Sequence, residues 1–306
     1  QGYIDVNIIK GLVWQVKGGL NYNGDTYKSH QQVVPQYAFI KPAGADDFPY
    51  LDDGGKSGGV TDRYSQNLLP SLYSTLTYDK TFGKYHTLKV LGGYEQQSFK
   101  TQFLQGSRLS FPTATLAEIN AGSPVGQSLS GTSTEWALRS YFGRVNYDFM
   151  GKYLLEANIR YDGSSRIAEE NRWGAFPSVS AGWRISKENF IQNNVSWIDD
   201  LKLRASLGTL GNQEIGLYPY QDILNLTEYP YGSTLQPSTI ITRLTDKNIK
   251  WESTRVLNFG VDLDIYKGLF GVTFDWFKKN TYDILTTQPV PGSLGLSGPV
   301  TNDGKL

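Results

Sequence analysis

Three carboxylates stand close together in a segment rich in glycine and serine, and paired carboxylates are the groups that hydrolyse glycosidic bonds. Asp162 opens the run DGSSR at 162–166, and Glu169 and Glu170 follow it. A glycosidase needs two such groups at a fixed separation on a rigid scaffold. An Asp-Gly pair instead favours a turn that leaves a strand. We therefore interpret the segment as a polar loop and predict no catalytic residue and no enzymatic activity.

Residues that commonly bind phosphate or metal ions are isolated in this chain. The sequence GKS at 55–57 lacks the glycine that a phosphate-binding loop requires where Tyr50 stands, so a flexible surface loop is expected. His30 and His86 have no neighbouring histidine or carboxylate at ligand spacing. The chain has no cysteine, which excludes disulfides, thiolate metal sites and a cysteine nucleophile. No metal and no cofactor are predicted.

Five aromatic residues are the remaining candidates for contact with a ligand or a partner protein. Four stand in the loop-rich segment 211–248, and one follows the DGSSR run. Such rings could stack on a sugar or line a binding cleft, and packing among themselves or at a membrane surface is the alternative. The candidates are Trp173, Tyr218, Tyr220, Tyr229 and Tyr231.

The composition favours strands whose side chains alternate between an apolar and a polar environment. The 306 residues carry 29 basic and 29 acidic side chains, and this zero net charge argues against nucleic acid as a partner. Mean hydropathy is −0.38 although 13% of the residues are aromatic. No run approaches the roughly 18 consecutive apolar residues of a membrane helix. Apolar surface spread thinly along alternating strands is typical of an outer-membrane β-barrel, which needs no such run.

The clearest element is a hairpin at 138–162, with two alternating runs joined by residues 150–152. One face of the first run carries Tyr141, Val145 and Phe149, and every charge lies on the other face. Aromatic residues close both ends of the apolar face. From Tyr141 to Phe149 a tilted strand rises about 20 Å, which approximates the apolar band of an outer membrane. We predict a lipid-facing and a lumen-facing side.

Similar alternation predicts further strands and hairpins along the chain, about twelve strands in all. Residues 23–71, 211–248 and 289–306 are predicted to be mostly loop, although 211–248 could form two strands. Breaks are expected at Pro35, Pro42, Pro49 and the glycine-rich segment 52–59, and residues 99–134 are expected to start as strand and continue as polar loop. Single helical turns are predicted at 114–120 and at 186–191, the second capped by Ser186. The other predicted strands span 11–22, 72–79, 86–99, 176–185, 201–209, 257–265 and 270–276.

Ordered sequence blocks resemble the barrel of SusC/RagA-type TonB-dependent transporters of Bacteroidota. The resemblance covers roughly half of the chain. So many blocks in the order found in the family are not expected by chance. The blocks are YFGRVNY at 141–147, KYLLEA at 152–157, DGSSR at 162–166, NRWG at 171–174, FPSVSAGWR at 176–184, LKLRAS at 201–206, GNQ at 211–213, WEST at 251–254 and NFGVD at 258–262.

The resemblance implies an all-β protein, a segment of an antiparallel transmembrane β-barrel of 22 strands with long extracellular loops and short periplasmic turns. It implies a multi-pass outer-membrane transporter that imports a glycan or peptide, with a SusD-like surface lipoprotein and TonB as partners and outer-membrane lipid around it. TonB would act through a plug domain. Residues 1–306 contain no recognisable plug, TonB box or closing aromatic strand, so we expect part of a longer polypeptide.

Two other functions remain open from the sequence. A passive outer-membrane channel or a surface adhesin could use the same barrel, and such a pore would have no plug. A soluble carbohydrate-active β-sandwich enzyme is the third hypothesis. It predicts hydrolysis that depends on Asp162 or Glu170.

Overall fold

The protein is built mostly from antiparallel strands. A computed structural model describes residues 1–31, 36, 37, 39–41, 43, 44, 46–48, 50, 51, 58–112 and 115–306. No helix among these residues is long and apolar enough to cross a membrane. The strands are β1 (Gly2–Ile9), β2 (Leu12–Gln31), β3 (Gln36–Tyr37), β4 (Tyr50–Leu51), β5 (Gly59–Phe82), β6 (His86–Leu109), β7 (Ser123–Phe149), β8 (Tyr153–Ser164), β9 (Trp173–Arg184), β10 (Ile198–Asn212), β11 (Leu224–Tyr231), β12 (Thr234–Ile241), β13 (Glu252–Ile265), β14 (Phe270–Tyr282), β15 (Ile284–Thr287) and β16 (Val300–Gly304).

Ten strands form one sheet in the hydrogen-bonded order β1-β2-β5-β6-β7-β8-β9-β10-β13-β14. The pairs β3–β4, β11–β12 and β15–β16 form small separate sheets. The chain divides into two compact units. The larger unit comprises Gln1–Gly19, Pro70–Ser98 and Trp136–Leu306, and the smaller comprises Leu20–Leu69 and Phe99–Glu135. The functional argument below concerns the larger unit.

The predicted hairpin has the register that its two faces require. Tyr141 pairs with Tyr161 and Phe149 with Tyr153, so aromatic residues meet at both ends. Met150 and Gly151 have φ values of 60° and 65°, the left-handed conformation of a tight hairpin connection. A register shift of one residue would exchange the two faces, and the apolar alternation therefore specifies the pairing.

One face of the larger unit's sheet, the outward face, exposes its apolar side chains. Val145, Ile159 and Val179 are 41, 55 and 52% exposed although they stand in the middle of strands. The opposite, inward face carries the charged and amide side chains, which contact one another across strands. A water-soluble sandwich would bury its apolar face, whereas lipid-facing strands leave it uncovered by protein.

Consecutive antiparallel strands place the connections of the larger unit alternately at one edge of the sheet and at the opposite edge. We call the first edge the turn end, which holds residues 83–85, 150–152, 185–197 and 266–269. The second is the loop end, which holds residues 165–172, 213–251 and 283–306. Three of these turn-end connections have three or four residues, as predicted for short turns, whereas 185–197 at the same end is longer than 165–172 at the loop end.

Several strands are longer than predicted. β2 continues to Gln31, β5 begins at Gly59 and β7 begins at Ser123, whereas loops were expected there. β1 precedes the first predicted strand. The segments added to β2, β5 and β7 carry polar residues on both faces, so they lack the apolar alternation that identifies a strand, whereas β1 does alternate at Ile4, Val6 and Ile8. The predicted breaks at Pro35, Pro42 and Pro49 and the segment 52–57 lie outside the described residues.

Three local predictions need correction. Ser186 caps no helix, because its hydroxyl donates to the Asp200 carboxylate while the short helix Asn189–Gln192 follows Glu188. The turn expected at 114–120 is a 3-10 turn at Ile119–Ala121, and Ala114 lies outside the described part. The tail expected to be loop contains β16, which pairs with β15. Short segments fixed by tertiary contacts carry little periodic signal.

Candidate functional site

The buried apolar core of the larger unit lies in its loops. Ile167 and Ile249 are completely buried, and Ala168 and Trp251 are 4 and 7% exposed. These residues belong to the connections that follow β8 and β12. We call residues 165–172, 213–223, 242–251 and 283–306 the loop cap. Because these connections bury a small core, the loop end is a folded surface.

Hydrogen bonds tie the parts of the loop cap together. Arg166 Nη1 donates to the Ile215 carbonyl oxygen at 3.1 Å, and Trp251 Nε1 donates to the Arg172 carbonyl oxygen at 2.8 Å. The Arg166 guanidinium also lies 5.0 Å from the centre of the Trp136 ring. Each bond joins residues far apart in sequence, so the connections hold one another in place.

The three carboxylates considered for glycoside hydrolysis have different surroundings. Asp162 is 8% exposed and accepts a hydrogen bond from Arg160 Nε at 2.7 Å. Glu169 and Glu170 are exposed in a one-turn 3-10 helix. Asp162 is therefore bound by an arginine of its own strand, whereas the two glutamates have solvent around them.

The histidines occupy sites with aromatic neighbours. His86 Nδ1 lies 2.7 Å from the Tyr147 hydroxyl oxygen, and its ring centre is 4.8 Å from that of Phe149, beside the turn end. His30 lies 6.2 Å from the Phe111 ring centre. Within the part of the chain that the structure describes, no group of three or more His, Cys, Asp or Glu residues could hold a metal ion.

Trp173 belongs to an aromatic group on the outward face. Its ring centre is 4.9 Å from that of Tyr161 with planes 16° apart, and 6.0 Å from that of Tyr141. At the turn end Tyr153 and Trp183 form a comparable stack, with centres 6.4 Å apart. Two aromatic rows bound the apolar band, which is the arrangement of interfacial girdles.

The four candidate tyrosines fall into two pairs. Tyr218 and Tyr220 contact each other edge to face in the loop cap, with ring centres 6.3 Å apart. Tyr229 and Tyr231 stand on the β11–β12 hairpin and are 63 and 77% exposed. Their spacing of two residues places both on one face of β11. The structure thus separates a packed pair in the cap from an exposed pair on a projecting hairpin.

The opposite face of that hairpin is mostly apolar, with Glu228 as its one charged residue. Leu226 on β11 is 88% exposed and Leu235 on β12 is 62% exposed. Leu226 and Pro230 share one side of β11, and Pro230 pairs with Leu235. The hairpin therefore presents a tyrosine face and an apolar face.

Two arginine networks cross the inward face, and sequence reasoning did not find them. Arg160 Nη2 donates to Glu95 at 2.7 Å while its Nε donates to Asp162. Arg204 donates to Asp262 through Nε at 2.8 Å and through Nη2 at 2.9 Å. Alternation showed that the charges of one strand share a face, but Glu95 stands on a different strand from Arg160, and Asp262 on a different strand from Arg204.

A carboxylate at the turn end holds three side chains, and we call this group the turn clamp. Glu188 accepts hydrogen bonds from Lys152 Nζ at 3.0 Å, the Tyr153 hydroxyl at 2.8 Å and Trp183 Nε1 at 3.1 Å. The bond from Lys152, followed by those from Tyr153 and Trp183, holds the pKa of Glu188 below its ordinary value. The clamp joins two neighbouring turns through one ionised group.

Acid is expected to release the turn clamp. The pKa of Glu188 is lowered in the folded protein. Ionised Glu188 therefore stabilises the fold fully above the ordinary carboxyl pKa, and this stabilisation is lost as pH falls through the lowered pKa. In Glu188→Gln the stability should depend less on pH in this acidic range, as measured by urea unfolding of the full-length protein at several pH values. The control is Glu169→Gln, at an exposed carboxylate. Identical pH profiles for wild type and Glu188→Gln would contradict the assignment.

The chain is similar to receptors of one family over nearly its whole length. The family model described as "TonB dependent receptor-like, beta-barrel" matches residues 4–305. TonB-dependent receptor P39 of Formosa agariphila is 31% identical over 99% of this chain and 28% of its own length. TonB-dependent receptor SusC of Bacteroides thetaiotaomicron is 33% identical over 82% of this chain and 25% of its own length. The chain thus spans about a quarter of the curated relatives it matches.

A solved structure described as that of the RagAB peptide transporter has the same fold. Its TM-score is 0.84 at 24% sequence identity, over 99% of this chain and 32% of the compared chain. At this level of identity the likeness concerns the fold alone.

Proposed function

Because the chain belongs to the TonB dependent receptor-like β-barrel family, we propose that it forms part of a transporter that imports a nutrient across the outer membrane with energy supplied through TonB. The predicted fold class, a segment of an antiparallel transmembrane β-barrel, and the resemblance to SusC/RagA-type transporters are confirmed. The family is one of receptors and transporters rather than enzymes.

The division of the sheet into two faces is the observation that best supports this proposal. The outward face carries an apolar band between the Tyr153–Trp183 stack and the Tyr161–Trp173 stack. The inward face carries the ion pairs of Arg160 and Arg204. A polar interior suits the passage of a hydrated nutrient, whereas the outward band suits lipid.

The proposed partners are a SusD-like surface lipoprotein at the loop end and TonB at the periplasmic side, and the proposed cargo is a glycan or a peptide. The loop cap provides a folded base, and the β11–β12 hairpin projects exposed side chains from it. In this proposal Tyr229 and Tyr231 contact substrate or lipoprotein. Tyr218 and Tyr220 support that surface through their ring contact, whereas Trp173, also a candidate from the sequence, stacks on Tyr161 in the aromatic row of the outward face.

Energised uptake tests the proposal against a passive channel. Cells that carry the full-length transporter are given the nutrient with and without a protonmotive-force uncoupler, and in the presence and absence of TonB. Accumulation should stop when either energy source is removed. Uptake that continues unchanged would support the passive channel. Hydrolysis of a glycan by purified protein, abolished in Asp162→Asn, would support the enzyme hypothesis.

Removing two exposed tyrosine rings should weaken binding at the loop end. We expect Tyr229→Ala with Tyr231→Ala to cost about 1 kcal/mol per ring, within the range for aromatic contacts. Lipoprotein co-purification and growth on the nutrient are measured after correct barrel folding is established. The matched control is Leu226→Ala with Leu235→Ala, on the other face of the hairpin. Normal growth and normal co-purification in the tyrosine variant would remove these residues from the proposal.

Single cysteines can establish which edge faces the outside of the cell. Ser233 at the tip of the β11–β12 hairpin and Lys84 at the turn end are both exposed. An impermeant maleimide should label Ser233→Cys in intact cells and should label Lys84→Cys only after the outer membrane is opened. Residues 1–306 contain no cysteine, so none of them contributes background labelling. If intact cells label only Lys84→Cys, the turn end faces the outside of the cell and the proposed orientation is wrong.

A further inference from the structure

Two cationic side chains stand on the outward face, just beyond the apolar band. Phe259 on β13 pairs with Trp276 on β14, and their half-exposed rings stack with centres 6.0 Å apart. Arg255 lies four residues from Phe259 and Lys278 two residues from Trp276, both toward the loop end. Even spacing along a strand keeps each cation on the same face as the ring. We call Arg255 and Lys278 the basic pair.

The register of the two strands brings the basic pair together. Lys278 pairs with Leu257, and Arg255 stands two residues from Leu257 on the same face of β13. Diagonal neighbours of this kind have Cβ atoms about 7 Å apart, within reach of two long side chains. Like charges at this separation repel each other, so an anion bound between them is favourable.

No carboxylate of the described residues neutralises the basic pair. Neither Arg255 nor Lys278 belongs to an ion pair within that part of the chain, and both side chains are exposed. Asp275, on the same strand as Lys278, lies on the inward face and contacts Arg204 at 3.2 Å. The outward face therefore carries two positive charges at the loop-end border of the apolar band.

Neutral polar side chains flank the basic pair on the same face. Arg255 pairs with Thr209 on β10 and with Asn280 on β14. The threonine hydroxyl and the asparagine amide each offer a donor and an acceptor of hydrogen bonds. The border of the band thus combines cations for an anionic group with partners for neutral hydroxyl groups.

We propose that the basic pair binds a phosphate group of a glycolipid in the outer leaflet of the membrane. That leaflet is built from lipids whose glucosamine head groups carry phosphate, and in the proposed orientation it surrounds the loop end. The acyl chains lie along the apolar band past Phe259 and Trp276, while the phosphate meets the two cations. Thr209 and Asn280 bind the glucosamine hydroxyls. This inference rests on the proposed outer-membrane location and orientation.

The test removes both positive charges and keeps polar side chains. Arg255→Gln with Lys278→Gln is introduced in the full-length transporter. The matched control is Lys84→Gln with Lys267→Gln, which removes two exposed cations from the turn end. The probes are monophosphoryl lipid A, the same lipid without its phosphate, and phosphatidylglycerol. Their affinities for the purified protein in detergent are measured by native mass spectrometry.

Wild type should bind monophosphoryl lipid A more tightly than either other probe, and the double variant should bind it about thirtyfold more weakly. The turn-end control should bind it normally. Equal affinity of the folded double variant and wild type would overturn the inference, as would an equal loss in the control. Wild type that binds the dephosphorylated lipid or phosphatidylglycerol as tightly as the phosphorylated glycolipid would also overturn it.

Energised uptake separates this inference from the import proposal. Loss of the lipid preference in a protein whose uptake still stops with the uncoupler overturns the lipid site alone. Uptake that ignores the uncoupler, in a protein that still prefers the phosphorylated glycolipid, overturns the import proposal alone.

Discussion

Trp251→Ala is expected to open the loop cap while the strands stay folded. The indole is 7% exposed, contacts the Phe176 ring edge to face with centres 5.3 Å apart, and donates to the Arg172 carbonyl oxygen. Truncation of a buried tryptophan typically costs about 3–5 kcal/mol, because a cavity replaces its contacts. The cap has few other buried apolar side chains that could compensate for this loss.

Hydrogen exchange and limited proteolysis of the full-length protein measure this effect. Residues 165–172 and 242–251 should lose protection in Trp251→Ala, while the heat-modifiable gel shift that reports a folded barrel persists. Trp251→Phe keeps most of the ring packing and loses the hydrogen bond, so a smaller effect of about 1 kcal/mol is expected. Unchanged protection of both segments in Trp251→Ala would show that the cap does not depend on this side chain.

Val145→Arg should destabilise the barrel strongly. Val145 stands four residues from Tyr141 and four from Phe149, at the middle of the apolar band, and pairs with Ala157. A lipid-facing arginine near the bilayer midplane costs about 2–4 kcal/mol. Asn146→Arg should cost little stability, because Asn146 lies on the inward face beside the Glu156 carboxylate.

Urea titration of the full-length barrel in lipid vesicles compares the two arginine variants directly. Both variants introduce an arginine into the same strand. Strand propensity and protein yield therefore cannot produce a difference in stability between them. Equal loss of stability in Val145→Arg and Asn146→Arg would show that the two faces have been assigned wrongly.

Local alternation in the sequence determined the faces and the hairpins. The pattern around Tyr141 and Val145 specifies which side chains share a face, since a strand has a period of two and a one-residue slip would exchange the faces. The same reasoning predicted the two strands of the β13–β14 hairpin, and the structure confirms both. The ordered sequence blocks determined the family.

Tertiary structure alone decided which inward residues meet and which loops are folded. Phe142 and Phe176 occupy ordinary alternating positions, and only the pairing of three strands aligns them with Arg160. Ile167 and Ile249 stand in segments that read as polar loop, yet both are completely buried. Alternation records the environment of each strand residue, whereas contacts between distant strands and irregular loops have no period in the sequence.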